Sequence, residues 1–346
     1  MMDWTISRRS WLLAAPSMWS LLSGPAGSSR AAGETVPLAR PIGPLSPEHR
    51  APVIKALAID PLGQQLAMAG DDNRIRVLAA ADLDERERLN GHRDLVRSLA
   101  FDPSGQRLVS ACNAGRLIIW QRADGWQPIR RIDSLPAIFA LRFSPDGSQL
   151  AAAGFQTGLL LFDADGRRKT QLRCQCRDLR GLVFRQCSRQ MAVVGRSGML
   201  HLFDARSGSE LGEFPLHPSR IRDIALLPGC DRVVTVGEDG AAIVFDLEQL
   251  RVVHAVNLLP CKLFSVVAVD SQTVAVAGSD NRIRLVDCHR GRVTALLEGH
   301  RGSISSLAFA KGFLYSGGFD TTIRKWTLPS GQEDRVAKEG AAAEKR

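Results

Sequence analysis

The stretch from Gly299 to Trp326 recurs six more times along the chain in fainter form, and the spacing of the copies constrains the architecture more than any single motif. Counting back from Trp326, the equivalent residues are Val286, Phe245, Phe203, Phe162, Trp120 and Leu78, at intervals of 40, 41, 42, 41, 42 and 42 residues. All are large and apolar. Six residues before each stands Asp320, Asp280, Asp239, Ser197, Gln156, Ala114 or Asp72, polar in all but one copy. A unit of this length cannot bury its apolar face alone, so such copies stack into an array with a shared core. The 346 residues therefore read as one repeat array flanked by other segments.

Each repeat divides in the same way. An apolar strand opens it, such as Ile54–Ile59 or Val96–Phe101. Three repeats then turn at Asp60-Pro61-Leu62-Gly63, Asp102-Pro103-Ser104-Gly105 and Ser144-Pro145-Asp146-Gly147, where Pro fixes φ and Gly accepts a positive φ. A short, almost wholly apolar strand follows, as in Leu150 to Ala153 or Val233 to Val236, then a third such as Arg282 to Val286. A further turn, for example Ala205-Arg206-Ser207-Gly208, leads into a fourth, Glu210 to Phe214. Four evenly spaced strands with turn signals between them predict one small antiparallel sheet per repeat. Seven such sheets bury their faces by packing around an axis and closing on themselves.

With these residues in register, the chain resembles the WD-repeat β-propeller family over roughly residues 50 to 333. The expected fold is all-β, a seven-bladed β-propeller of four-stranded antiparallel blades spanning 49–335. The resemblance is sharpest where Gly91-His92 and Gly299-His300 precede Trp120 and Trp326. Elsewhere Phe162-Asp163, Phe203-Asp204, Phe245-Asp246 and Val286-Asp287 stand where Trp-Asp is expected. The resemblance also gives His300, Ser316, Asp320 and Trp326 a role: a structural hydrogen-bond chain from indole to Ser to His to Asp, and not a hydrolase triad. A buried indole N–H needs an acceptor, which favours that role. His92, Ser110 and Trp120 repeat the chain with Ala114 in place of the acid, and His217, Thr235 and Asp239 repeat it without an indole. No catalytic set converges, so no enzyme is expected.

The ends do not follow the repeat. Residues 1–32 carry Ser7-Arg8-Arg9-Ser10-Trp11-Leu12, an apolar segment to Leu22, then small residues. These are the parts of an export signal, and the paired arginines resemble the bacterial twin-arginine type. Cleavage after Ala26 or after Ala31 fits, and the mature chain is expected to be periplasmic or secreted. The apolar segment is shorter than the roughly 20 residues of a membrane span, so the mature chain is expected to have no transmembrane segment. Residues 33–48, with four prolines, read as a linker or a ring-closing edge strand. The last blade takes its outer strand either from Val36 to Ile42 or from Gly331 to Val336; the family usually uses the first device. Residues 336–346 are Ala, Glu and Lys without an apolar face and read as a disordered tail.

The net charge of +9 permits an acidic partner, but the basic residues are spread along the chain, which argues against nucleic acid. The seven cysteines, Cys112, Cys174, Cys176, Cys187, Cys230, Cys261 and Cys288, fit neither a zinc spacing nor a haem attachment. The histidines give no metal triad, so neither metal nor cofactor is expected.

The informative set is the second residue of each opening strand: Lys55, Arg97, Phe139, Arg180, Arg222, Phe264 and Ser305. In a propeller this end of the innermost strand opens onto the channel mouth. Four of the seven are cationic, two are Phe and none is acidic. Arg with aromatic residues is a common hot-spot composition, and Arg suits carboxylate or phosphate recognition. The expected function is a non-enzymatic scaffold binding an acidic peptide or protein at this mouth. The alternatives are a propeller enzyme or binder of an anionic small molecule in the channel, or an assembly subunit with no small ligand. Equally, the cations could be satisfied by loop acids such as Asp71, Asp94, Asp223 and Glu238.

Overall fold

A computed structural model describes residues 38–41, 51–156, 158–172 and 178–328. The expected export signal, most of the linker, the 331–336 strand, the C-terminal tail, Cys174 and Cys176 lie outside these residues. The described residues form seven four-stranded antiparallel sheets, the blades of a seven-bladed β-propeller. The inner strands are Ile54–Ile59, Val96–Phe101, Ile138–Phe143, Leu179–Phe184, Ile221–Leu226, Leu263–Ala268 and Ile304–Ala310, and each neighbours the next around the ring.

Burial explains the sequence pattern. In every blade the second strand, such as Gln65–Gly70 or Phe313–Gly318, is buried along five consecutive residues. A strand covered on both faces by neighbouring blades has no polar side, so its residues are apolar without alternation. Outer strands are instead mostly exposed, and Arg292–Glu298 alternates along most of its length. The core lies between blades: one cluster joins Ala67, Val77 and Leu89 of blade 1 to Leu99, Leu108 and Trp120 of blade 2. The Pro-Gly turns form as read. Gly63, Gly105 and Gly147 have φ of 68°, 71° and 70°, and their N–H groups donate to Asp60, Asp102 and Ser144 carbonyls at 2.9, 3.0 and 2.8 Å.

The seventh blade takes its outer strand from the N-terminal side. Leu38–Pro41 pairs antiparallel with Thr322–Thr327, from Leu38 opposite Lys325 to Pro41 opposite Thr322. Arg40 forms an ion pair with Asp84 of blade 1. Blade 7 also reaches blade 1 directly, since the buried Tyr315 hydroxyl donates to the Ala80 carbonyl at 3.0 Å. These contacts join the first part of the chain to the last, so the ring opens only if several are lost together.

Candidate functional site

In all seven blades the ladder between inner and second strands shifts register after the first inner residue. The shifts fall between Ile54 and Ala56, Val96 and Ser98, Ile138 and Ala140, Leu179 and Gly181, Ile221 and Asp223, Leu263 and Ser265, and Ile304 and Ser306. The residue skipped each time is Lys55, Arg97, Phe139, Arg180, Arg222, Phe264 or Ser305. A β-bulge frees one residue from the ladder and re-aims its side chain. Here the seven bulged residues line one cavity of about 160 Å³ at the channel mouth, with the Ser305 hydroxyl donating to the Ile54 and Gly317 carbonyls. Each is half-buried, between buried first residues and the axis. The exposed cations expected from sequence are thus partly desolvated.

Aromatic faces hold the cations in place. The Arg180 and Arg97 guanidinium carbons lie 3.9 and 5.1 Å from the Phe139 ring centre, so one Phe carries two arginines. Arg222 lies 5.3 Å from Phe264, and the Lys55 Nζ 3.5 Å from the ring of Phe319. Such contacts contribute about 0.5–2 kcal/mol each, more where water is excluded. Arg97 Nε donates to the neutral Asn113 Oδ1 at 2.7 Å. Arg180 pairs with Asp178 at 2.7 Å, and Arg222 with Glu238 at 3.3 Å. Arg220 shares both acids, at 3.5 and 3.2 Å.

Only part of the alternative pairing with loop acids is realised. Glu238 does pair with Arg222. Asp223 is instead turned into the wall, accepting from Ser265 Oγ at 3.1 Å and Val266 N at 3.0 Å. It belongs to a set of third residues, with Ser98, Ser265 and Ser306, whose oxygens accept the fourth N–H of the next inner strand. Burial pushes its carboxyl up, against the pull of Arg142. Asp94 accepts from Leu95 N, and Asp71 from Val53 N. Asp178, which the sequence reading did not single out, takes the pairing role.

The cations repel one another across the mouth. Burial, then Arg97, lowers the Lys55 ammonium to about 8, with Asp71 opposing and Arg222 adding. Arg97 and Arg222 are lowered by burial and then by Arg180. An anion placed among these groups relieves both effects, because it replaces lost hydration and separates like charges.

The hydrogen-bond braces lie at the same end of the blades. In blade 7 the Trp326 indole donates to Ser316 Oγ at 2.8 Å, His300 Nε2 contacts that oxygen at 2.7 Å, and His300 Nδ1 meets Asp320 at 2.8 Å. Burial pushes the Asp320 carboxyl up. His300, the Arg301 N–H and Thr322 outweigh it and hold the group far below the usual carboxylate range. Blade 2 keeps Trp120, Ser110 and His92, at 2.9 and 2.7 Å. Without an acid there, burial and then Arg116 lower the His92 imidazole to about 4. These groups are buried in the blades, away from the cavity, and serve as struts.

At the opposite end, where the inner strands finish, a wider cavity of about 550 Å³ is lined by Ile59, Phe101, Phe143, Phe184, Leu226 and Phe309. From sequence, Ile59 and Phe101 read only as the ends of apolar opening strands, and the recurrence of all six residues at the repeat spacing around a second mouth was missed.

Residues 84–121 and 291–327 match the family described as WD domain, G-beta repeat. These are the segments ending at Trp120 and Trp326, where the braces keep their indoles. Two repeats of the chain carry the WD-repeat pattern, each running from the outer strand of one blade through the third strand of the next. The chain is 28% identical over 146 residues to WD repeat-containing protein 36 of Homo sapiens, covering 40% of this chain and 16% of that one. It is 24% identical over 155 residues to U3 small nucleolar RNA-associated protein 21 of Saccharomyces cerevisiae, covering 44% and 16%. Against eukaryotic translation initiation factor 3 subunit I of Nematostella vectensis the figures are 29% over 162 residues, 42% and 50%. The chain thus spans about a sixth of the length of the first two and half of the third. Among solved structures, the β-propeller domain of Cps50 (Swd1) from Myceliophteria thermophila superposes with a TM-score of 0.73 at 17% identity, covering 81% of this chain and 98% of that domain. That likeness concerns the fold. No helix among the described residues is long and apolar enough to cross a membrane.

Proposed function

We propose that the protein is a non-enzymatic interaction scaffold that holds an acidic peptide or an acidic segment of another protein at its cationic channel mouth. The observation that carries this reading is the set of seven register shifts. They place Lys55, Arg97, Arg180 and Arg222 around one cavity, with Phe139 and Phe264 beneath the guanidinium groups. Propellers of the WD-repeat kind commonly serve protein–protein interaction, and one relative named above is a subunit by its own description. The paired-arginine segment at the N-terminus supports export to the cell envelope or periplasm, with residues 1–32 removed.

The test is binding of a fluorescein-labelled Glu/Asp-rich peptide, followed by anisotropy at low ionic strength. Combining Arg97→Glu with Arg222→Glu is expected to weaken binding about 100-fold, since reversing charges at a desolvated contact costs several kcal/mol. Affinity should also fall with added salt. Retention of wild-type affinity by the double variant overturns the site. Binding of a small dicarboxylate in place of the peptide moves the reading to a small-molecule binder.

A further inference from the structure

Blade 4 differs from its neighbours at its outer edge. Two residues before each repeat landmark, the third strand presents a side chain toward the outer strand. In blade 1 this residue is Arg76, paired with Asp72 at 2.6 Å and Glu85 at 3.3 Å, and directly opposite Arg88 in the ladder. In blade 6 it is Arg284, paired with Asp280 at 2.6 Å. In blade 4 it is His201. The residue opposite is Glu213, where blade 1 has Arg88, and the counterpart of Glu85 is Glu210. A trio of two arginines and one glutamate has become one imidazole and two carboxylates, in a chain of net charge +9.

Backbone geometry makes the trio converge. Residues three apart on a regular strand face opposite ways. A register shift between Leu202 and Phe203 leaves Leu211 without a partner, which brings Glu210 and Glu213 to the face that carries His201. His201 Nδ1 lies 2.9 Å from Glu210 Oε1, and one ligand atom from each of the three residues lies within 4.8 Å of the others. His201 is buried, with its ring 6.5 Å from that of Phe203, so its position is fixed. Both glutamates are exposed and can rotate to close around an ion. Among the described residues neither is paired with a lysine or arginine.

We propose that His201, Glu210 and Glu213 form a binding site for a divalent ion of the zinc class, which ties the outer strand of blade 4 (Glu210–Pro215) to its third strand (Met199–Asp204). One imidazole with two carboxylates and a solvent-filled position is a coordination set that zinc and cobalt accept, at roughly 2.0–2.2 Å per bond. The imidazole nitrogen selects against calcium and magnesium, which prefer all-oxygen sites. The sequence expectation of no metal rested on the cysteine spacings and on histidines that form no triad. The two glutamates become ligands only because the bulge turns them to one face.

The experiment is a Co²⁺ titration of the folded mature protein, read by visible absorption, with Zn²⁺ as competitor. The expected result is a d–d spectrum without a thiolate charge-transfer band in the near ultraviolet, abolished by Zn²⁺. Glu213→Gln and Glu210→Gln should each weaken Co²⁺ binding at least tenfold with unchanged circular dichroism. Zn²⁺ should raise the melting temperature of the wild type and not of Glu213→Gln. These two exposed positions carry the test because His201→Ala would also disturb packing. A thiolate band, affinity unchanged in Glu213→Gln, or no binding at about 100 µM Zn²⁺ overturns the proposal.

Discussion

Where the inner strands begin, the channel is narrow, charged and framed by side-chain hydrogen bonds; where they finish, it is wide, apolar and framed by Pro-Gly turns. The same seven strands build both ends. The difference comes from the bulge. At the first mouth the ladder skips the second residue, so Arg97 or Arg222 can point to the axis without supporting the sheet. At the second mouth the ladder is regular, and Phe143 and Phe184, 9% and 5% exposed, line the cavity while also filling the core between blades. Side chains at the first mouth are therefore not needed for the ladder. Those at the second are tied to stability.

The largest expected effect tests the second mouth. Phe184→Ala should cost about 3–5 kcal/mol of unfolding free energy, as truncation of a buried Phe does. Chemical denaturation measures this, and affinity for the acidic peptide should stay within about threefold of wild type. A larger loss of affinity would mean that the two ends are coupled through the inner strands. The converse variant, combining Arg97→Glu with Arg222→Glu, should lose the peptide while unfolding within about 1 kcal/mol of wild type. A collapse of stability in that variant would place the cations in the fold's own support and end the distinction between the mouths.

A smaller effect is expected at the strut behind the first mouth. Asp320→Asn removes the charged acceptor of His300 and Arg301 and should cost about 2 kcal/mol, the range for hydrogen bonds to charged groups. The folded-state carboxyl is held below its ordinary value, so its contribution is fully present above about pH 4 and is lost as pH falls into strong acid. Melting curves of wild type and variant should converge there. A gap that persists unchanged in acid would show that the variant acts through packing instead.

The sequence carried the fold well because a period survives substitution: Trp326, Phe203 and Val286 differ, yet each sits in register and is buried. The candidate mouth was legible for the same reason, since a position in a repeat is also a position on a blade. Side-chain direction was not legible. Asp223 was one of the acids the alternative reading offered to the cations, but third residues point into the wall. The short polar residues Ser98, Ser265 and Ser306 at equivalent positions could have signalled a hydrogen-bonding role. Bulges leave no mark of their own in composition, so the convergence of His201, Glu210 and Glu213 could not be read. Phe101, Phe143 and Phe184 were visible at one spacing, but a buried aromatic in a core and one at a mouth look alike in sequence.

The smallest effect concerns Lys55, and it separates the mouths by pH alone. Its ammonium, lowered to about 8 by burial and by Arg97, loses its charge in mild base, while the arginines beside it remain cationic. Anion affinity at the first mouth should thus be highest below pH 8 and fall by roughly tenfold between pH 7 and pH 9.5. Unliganded stability should run the other way. The folded protein holds this proton less tightly than the unfolded chain, whose lysine titrates near 10.5. Above pH 8 the unfolded state binds more protons, and stability contributed by this group rises toward that value. Lys55→Met should flatten the pH dependence of binding and raise the melting temperature at pH 7, where the wild type keeps a desolvated charge. Phe184→Ala should leave both pH slopes unchanged. An affinity that stays constant from pH 7 to 9.5 in the wild type would show that Lys55 does not face the anion, and would confine the binding surface to the three arginines.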